Sequence, residues 1–430
     1  MAQTVINQST LKNGLTVYTI ESDQVPLVTL DMWVKVGSKD EPENIAGISH
    51  YLEHMLFKGT PRLGVGVYDR RIEELGGYLN AATSGDYTHY YMTLPSQHLD
   101  RALVDMADVL INSSLDAEEV ESERSVILEE ISMKQDQPIG FMYDEITQAV
   151  YENGPYKNTV IGSEETVKAI TRDQLLEHYT RFYTPQNMAF LAIGDFKTED
   201  LIASLEKELG EFQREYKPYR KVSPVTKFAS PKEQIWERDW QQTYFFFTIP
   251  GHELNTLERV AIDSVAEQIL AGGRNSRLVK ALREEQRLVS TISAFAPSHK
   301  HESFWGIYGA CDADKIDAVK AAILAELELL AKKGITNAEL KRARKTLITE
   351  HLFQTETNSG KSAMLGMSIA LLGNESLVND LPAALEAVTE AQVIEAINGI
   401  LNHEMSTFAV RPKPLIPVGA PESQGKPTVY

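Results

Sequence analysis

Five consecutive residues, His50-Tyr51-Leu52-Glu53-His54, carry the side chains in this chain best suited to chemistry. On an α-helix, residues three and four apart share a face, so His50, Glu53 and His54 project to one side. Two neutral imidazoles one turn apart can grip a single Zn²⁺ ion, with the carboxylate between them beside the water that the metal carries. The order His-x-x-Glu-His reverses the commoner His-Glu-x-x-His and is the inverzincin signature. The bland alternative is two surface histidines beside a glutamate. With ten histidines in 430 residues, this pattern on a cleanly bounded helix favours one zinc per chain, provided a third ligand exists.

Such a helix has to be held by a core. Its other face is apolar (Ile45, Ile48, Leu52, Met55 and Leu56), and Gly59 and Pro61 stop it. Strands are expected before it. Lys12-Asn13-Gly14 reads as a type I′ hairpin turn, and Val28, Leu30, Met32, Val34 and Val36 alternate with Thr29, Asp31, Trp33 and Lys35 as in a half-buried strand. After it come a helix over 67–75, strands over 79–83 and 89–94, and a helix over 99–111. Asp116-Ala117-Glu118-Glu119 resembles a capping box opening an acidic helix through 134. That helix carries Glu123, Glu129 and Glu130. Glu123 and Glu130 lie two turns apart on one face, and Glu129 is about 100° away from Glu130. Any of the three could close the metal site, or the helix could simply be a solvated acidic face.

The length favours two domains of about 200 residues each. An apolar content of 43% and a charged content of 24% describe a folded chain. No apolar run approaches the ~18 residues of a membrane span, and Met1-Ala2-Gln3-Thr4 does not open a secretion signal. The expected location is therefore cytoplasmic, or periplasmic if a signal has been trimmed. Cys311 is the single cysteine, which leaves no disulfide framework and no thiolate cluster, and its surroundings read as a buried strand. A net charge of −19 argues against nucleic acid as a partner and would suit cationic peptides if the acidity lined a cavity.

Residues 213–233 mix Pro, Lys, Tyr and Ser and make the best linker, after which the pattern restarts. Residues 266–273 echo 52–59, and the segment from Gly334 to Glu350 echoes 114–130. The histidine positions are Ser264 and Gln268 in the second copy, so only the first copy keeps metal chemistry. Ser359-Gly360-Lys361-Ser362 lacks the first glycine of a phosphate loop and is read as a helix-to-helix loop. His299-Lys300-His301 is read as exposed, and Tyr244-Phe245-Phe246-Phe247 as a buried strand. Residues 411–430 are rich in Pro, Gly and polar side chains, as in an extended tail.

Residues 47–60 and 123–130, with the duplication and the length, resemble the pitrilysin (M16) family of zinc peptidases. The nearest group is the two-domain M16B set, which includes the catalytic β subunit of the mitochondrial processing peptidase. The resemblance implies an α+β fold of the LuxS/MPP-like kind, with two tandem homologous domains, each an antiparallel sheet packed with helices. Residues 1–215 would be the metal-bearing domain, 216–233 the linker, 234–410 the domain without metal and 411–430 the tail. Matched residue by residue, it makes Glu130 the third ligand beside His50 and His54, Glu53 the general base, and Glu123 a support behind the ligands. Its substrate-binding edge strand falls on 77–83, which places Asn80 and Ala81 against an extended peptide. The family's second-domain Arg-Tyr pair falls on Arg283 and Ser290, so the tyrosine is missing.

The implied activity is endopeptidase cleavage of peptides or unfolded segments in a chamber between two chains. The missing tyrosine opens an alternative, a zinc-bearing half-enzyme whose zinc-less partner supplies the Arg-Tyr pair. A non-catalytic assembly subunit is the rival from a different class. No nucleic acid and no membrane is expected among the partners.

Overall fold

A computed structural model describes residues 3–219, 227–251, 253, 255–297, 299–301 and 303–413. The chain opens with β1 (Asn7–Thr10) and β2 (Thr16–Glu21), an antiparallel hairpin. Its turn differs from the type I′ expectation. The Leu11 N–H donates to Leu15 O, the Gly14 N–H donates to Leu11 O, and only Gly14 has a positive φ, of 91°. This is a three-residue loop with glycine at its left-handed position. Asn13 instead donates its amide to Leu209 O and Phe212 O, so tertiary contacts selected the wider turn.

β3 (Leu27–Val34) leads through two short 3₁₀ turns to α1 (Ile48–Leu56) and α2 (Val67–Glu74). β4 (Tyr78–Thr83) and β5 (Thr88–Pro95) follow, then α3 (Leu99–Asn112) and the acidic helix α4 (Ala117–Gln135). Asp116 caps α4 by accepting from the Glu118 and Glu119 N–H groups. α5 (Pro138–Val150) and the short β6 (Tyr151–Asn153) come next. The first half finishes with α6 (Glu164–Ala169), α7 (Arg172–Phe182), β7 (Met188–Gly194) and α8 (Thr198–Leu209).

Within the expected linker, residues 220–226 lie outside the described residues, whereas β8 (Lys227–Phe228) pairs with β6. The second half then runs β9 (Glu233–Arg238), β10 (Thr243–Pro250), α9 (Leu257–Ala271), a π-helical turn (Val279–Glu285), β11 (Val289–Phe295) and β12 (Phe304–Cys311). α10 (Ile316–Lys333), α11 (Asn337–Gln354) and α12 (Asn358–Leu372) follow. α13 (Ser376–Asn379), α14 (Leu381–Ala387), α15 (Glu390–Leu401) and β13 (Ser406–Pro412) close it. Arg411 and Pro412, expected to begin the tail, thus belong to a strand, and 414–430 lie outside the described residues. None of the described helices is long and apolar enough to cross a membrane.

The duplication is visible in strand order. The first sheet runs β1-β2-β7-β3-β5-β4 and the second β9-β13-β10-β12-β11. Without β1, the two orders correspond strand for strand. Each sheet is antiparallel apart from one parallel pair, β2 with β7 and β13 with β9. β10 is the expected phenylalanine strand, and Cys311 is buried at the end of β12.

The halves interlock by exchanging helices. The first sheet's own helices cover one face, while α12 of the second half covers the other, where Leu365 and Ile369 meet Trp33, Leu191 and Ile193. Reciprocally, Phe141, Met142 and Ile146 of α5 pack on Phe246, Phe408 and Val410 of the second sheet. β3 is therefore buried on both faces rather than half-buried, with Thr29, Asp31 and Trp33 each at most 3% exposed.

Two further expectations change for related reasons. Residues 359–362 are the first turns of α12, because the Thr357 hydroxyl caps the Gly360 N–H at 3.0 Å and starts the helix there. His299 and Lys300 are half-buried against the first half. The His299 ring stacks on Tyr156 with centroids 4.1 Å apart, and the Lys300 N–H donates to Asp86 at 3.1 Å.

Candidate metal centre

α1 begins at Gly47, whose φ of 93° suits glycine and where a Cβ would lie 2.6 Å from Ile161 O. The fully buried Glu41 carboxylate caps the helix start, accepting the Gly47 N–H at 2.7 Å and the Ser49 N–H at 2.8 Å. Burial pushes this carboxyl up to about 7, against the pull of those bonds. Ile48, Tyr51, Leu52, Met55 and Leu56 are all buried. The Tyr51 hydroxyl donates to Val120 O of α4, and Ser49 Oγ lies 3.1 Å from His178 Nε2 of α7. These contacts fix the rotation of α1, and with it the direction of its polar face.

That face meets α4. Glu130 Oε2 lies 3.7 Å from His50 Nε2 and 3.6 Å from His54 Nε2. The histidine rings are 4.7 Å apart, centroid to centroid. Donors about 2.1 Å from a tetrahedral centre are about 3.4 Å from one another, so these three side chains fit a zinc ion with little adjustment. Among the described residues, His50, His54 and Glu130 form the one group whose ligand atoms converge in this way. Glu123, one face but two turns earlier, is buried and receives His54 Nδ1 at 2.8 Å while forming an ion pair with Lys58. Glu129 is exposed and joins neither. Spacing had left the three acids open; docking of α4 separates them.

Burial, followed by the neighbouring His54, pushes His50 down to about 3, so it is a neutral donor. Burial also acts to lower His54, but the carboxylates of Glu123, Glu53 and Glu130 outweigh it and the net shift is upward. The carboxylates thus favour the protonated form of the His54 ring, and that proton would leave if a metal took the site. Glu53 faces the same cleft, with burial raising its carboxyl above the usual range. Its Oε2 accepts the Thr83 hydroxyl.

β4 forms the far wall. It is the last strand of its sheet, and its outer edge has no strand partner among the described residues. Ala81, Ala82 and Thr83 line a cleft of about 570 Å³ with the metal-site residues, Lys134, Val160 and Ile161. Asn80 is exposed on this edge, its Oδ1 accepting the Ala81 N–H at 2.8 Å. Arg283 and Ser290 do not line the cleft. Arg283 forks onto Glu284, and the Ser290 hydroxyl donates to Ala310 O at 3.2 Å. In the second copy, Glu267 keeps the position of Glu53 and is pushed up to about 8 by burial and then by Asp263.

Three cleft contacts were not foreseen from the sequence. Thr83 holds Glu53, Lys134 pairs with Asp144 at 2.7 Å, and Lys58 holds Glu123. Lys134 and Lys58 each stand one helical turn beyond a ligand, at Glu130 plus four and His54 plus four, and that spacing was the available signal. Glu123→Ala should weaken zinc binding about 10–100-fold by freeing the His54 ring. Competition against a chelating dye measures this, and unchanged affinity would show that the His54–Glu123 bond does not orient the ligand.

Comparison with known proteins follows the same lines. The family model described as Insulinase (Peptidase family M16) matches residues 16–164, and Peptidase M16 inactive domain matches 169–347. An uncharacterized zinc protease of Mycobacterium tuberculosis is 31% identical over 403 residues, covering 93% of this chain and 90% of that protein. One from Bacillus subtilis is 28% identical over 396 residues, covering 92% and 95%. Among solved structures, a protease from Helicobacter pylori superposes with a TM-score of 0.89 at 23% identity, covering 96% of this chain and all of that one. A chain of complex III2 from Candida albicans superposes with a TM-score of 0.80 at 17% identity, covering 94% and 96%. Identity above 30% across nine-tenths of both chains, with both family models in order, means that this chain belongs to peptidase family M16.

Proposed function

We propose that this protein is a zinc-dependent endopeptidase acting on extended peptide segments. The observation that carries the reading is the convergence of His50, His54 and Glu130, with Glu53 in the same cleft beside a strand edge that has no strand partner among the described residues. The three donors would hold the ion. Bound there, zinc makes a water acidic near neutral pH and polarises the scissile carbonyl. Glu53, held by Thr83, accepts the proton of the attacking water and passes it to the leaving amine. Its raised carboxyl suits that two-way transfer. The edge of β4, at Asn80 and Ala81, aligns the peptide through main-chain hydrogen bonds, which demand extended backbone and little sequence.

The fold alone does not decide between enzyme and assembly subunit, since a chain of complex III2 shares it. The intact donor set and Glu53 favour the enzyme. A second reading has a specific observation behind it. Arg283 and Ser290 stand outside the cleft, and no tyrosine occupies position 290. This favours a zinc-bearing chain completed by a second chain, identical or zinc-less, that closes a chamber over the substrate.

The chain alone, incubated with a quenched fluorescent peptide library, should cleave it and lose activity on chelation, with activity restored by zinc. Bound zinc without cleavage would favour the half-enzyme. Cleavage indifferent to chelator would end the zinc reading.

A further inference from the structure

The edge strand β4 separates two hollows. Leu79, Ala81 and Thr83 lie on the face toward α1 and its histidines, so Tyr78, Asn80 and Ala82 lie on the opposite face. On that face a cavity of about 610 Å³ opens between the first sheet and the α11–α12 junction of the second half. Tyr78, Ala82, His89 and Tyr91 lie on its sheet side, while Phe353, Met364 and Met367, together with the polar but uncharged Gln354, Thr357 and Ser359, lie on its helix side. Ala82 borders both this cavity and the metal cleft.

We propose that this cavity is a subsite for aromatic or large apolar side chains of the peptide laid along β4. This deepens the peptidase reading and rests on it. A strand added to the free edge of β4 must alternate its side chains as β4 does. Every second residue faces the metal side and the intervening residues face the cavity, about 6.8 Å apart. The volume accommodates more than one such side chain.

The lining sets the preference. Phe353 is 69% exposed and Tyr78 51% exposed, two large aromatic rings left in water at one mouth. Both would gain by covering an apolar guest. The single carboxylate in the lining, Asp31, is 1% exposed and already committed. One oxygen pairs with His89 Nδ1 at 3.0 Å and the other accepts the Ser362 hydroxyl at 2.9 Å. The His89 ring is itself stacked between Trp33 and Tyr91. The floor therefore offers a clamped imidazole and ring faces, not a free acid for a lysine or arginine.

The test uses the full chain carrying Glu53→Gln and two labelled Gly/Ser peptides of equal length. Each has two marked positions two residues apart, Phe in one peptide and Lys in the other. Fluorescence polarisation at physiological salt should show tighter binding of the Phe peptide, despite the chain's net charge of −19. Phe353→Ser should weaken that binding about tenfold and leave the Lys peptide unchanged, whereas Phe353→Tyr should retain it. Equal affinity of the two peptides, or a Phe preference untouched by both Phe353→Ser and Tyr78→Ser, would overturn the subsite. If neither peptide binds while the wild-type chain still shows chelator-sensitive cleavage, the subsite falls and the peptidase reading stands. If cleavage is absent as well, the subsite still falls, and zinc content then separates the half-enzyme, which binds the metal, from a chain with no peptidase site.

Discussion

Glu53→Gln should retain zinc and lose turnover, with kcat reduced by about 10²–10⁴-fold. The amide keeps the size of the carboxylate, and its oxygen can still accept the Thr83 hydroxyl, so the cleft is left intact. What it cannot do is take a proton from water. His54→Ala should fail differently. It removes a donor 3.6 Å from Glu130 and strands Glu123, which loses its imidazole and keeps only Lys58. Metal content and initial rates, measured on both variants, separate the roles. Zinc near one per chain with no cleavage is expected for Glu53→Gln, and little zinc with no cleavage for His54→Ala. An undiminished rate in Glu53→Gln would remove it as the general base.

Gly366→Leu should unlock the two halves. Gly366 lies on α12 where it crosses β3, and a Cβ there would sit 1.9 Å from Trp33 Cε2. Trp33 is 3% exposed and wedged between the sheet and α12, with its ring also against Tyr87 and His89. It has no space to yield. Overpacking of a core costs about 1–3 kcal/mol or more, and a leucine here belongs at the upper end. Urea denaturation should register that loss, and limited proteolysis should cut sooner near the α11–α12 junction. Wild-type stability in this variant would mean that α12 does not dock on the first sheet as tightly as Trp33 and Gly366 imply.

Several elements were legible because their causes are local. The face shared by His50, Glu53 and His54 follows from helical spacing alone, as does the apolar face that Ile48, Leu52 and Met55 bury. β10 announces itself through three consecutive phenylalanines, and the second copy through its repeated pattern with Ser264 and Gln268 in place of histidines. The choice of Glu130 as the expected third ligand came from resemblance. Spacing on one helix cannot say which of Glu123, Glu129 and Glu130 faces a neighbour, and only the docking of α4 on α1 turns Glu130 toward the imidazoles and Glu123 under His54.

The misread elements share the opposite cause. Asn13-Gly14 has the composition of a tight two-residue turn, but the Asn13 amide is claimed by carbonyls nearly two hundred positions away. β3 alternates like a strand with one wet face, yet α12 arrives from the other half of the chain to bury Asp31 and Trp33. Residues 359–362 look like a loop until Thr357 caps a helix whose close approach to α11 needs Gly360, where a Cβ would meet Gln354 O at 1.7 Å. By itself the sequence determined the shared face of His50, Glu53 and His54, the strand and helix segments around it and the duplication, because spacing within a few turns and a repeated pattern carry them. Tertiary structure alone decided which acid meets the histidines, which hydroxyl holds Glu53 and which helix covers each sheet, because those depend on surfaces that meet only after the chain has closed on itself.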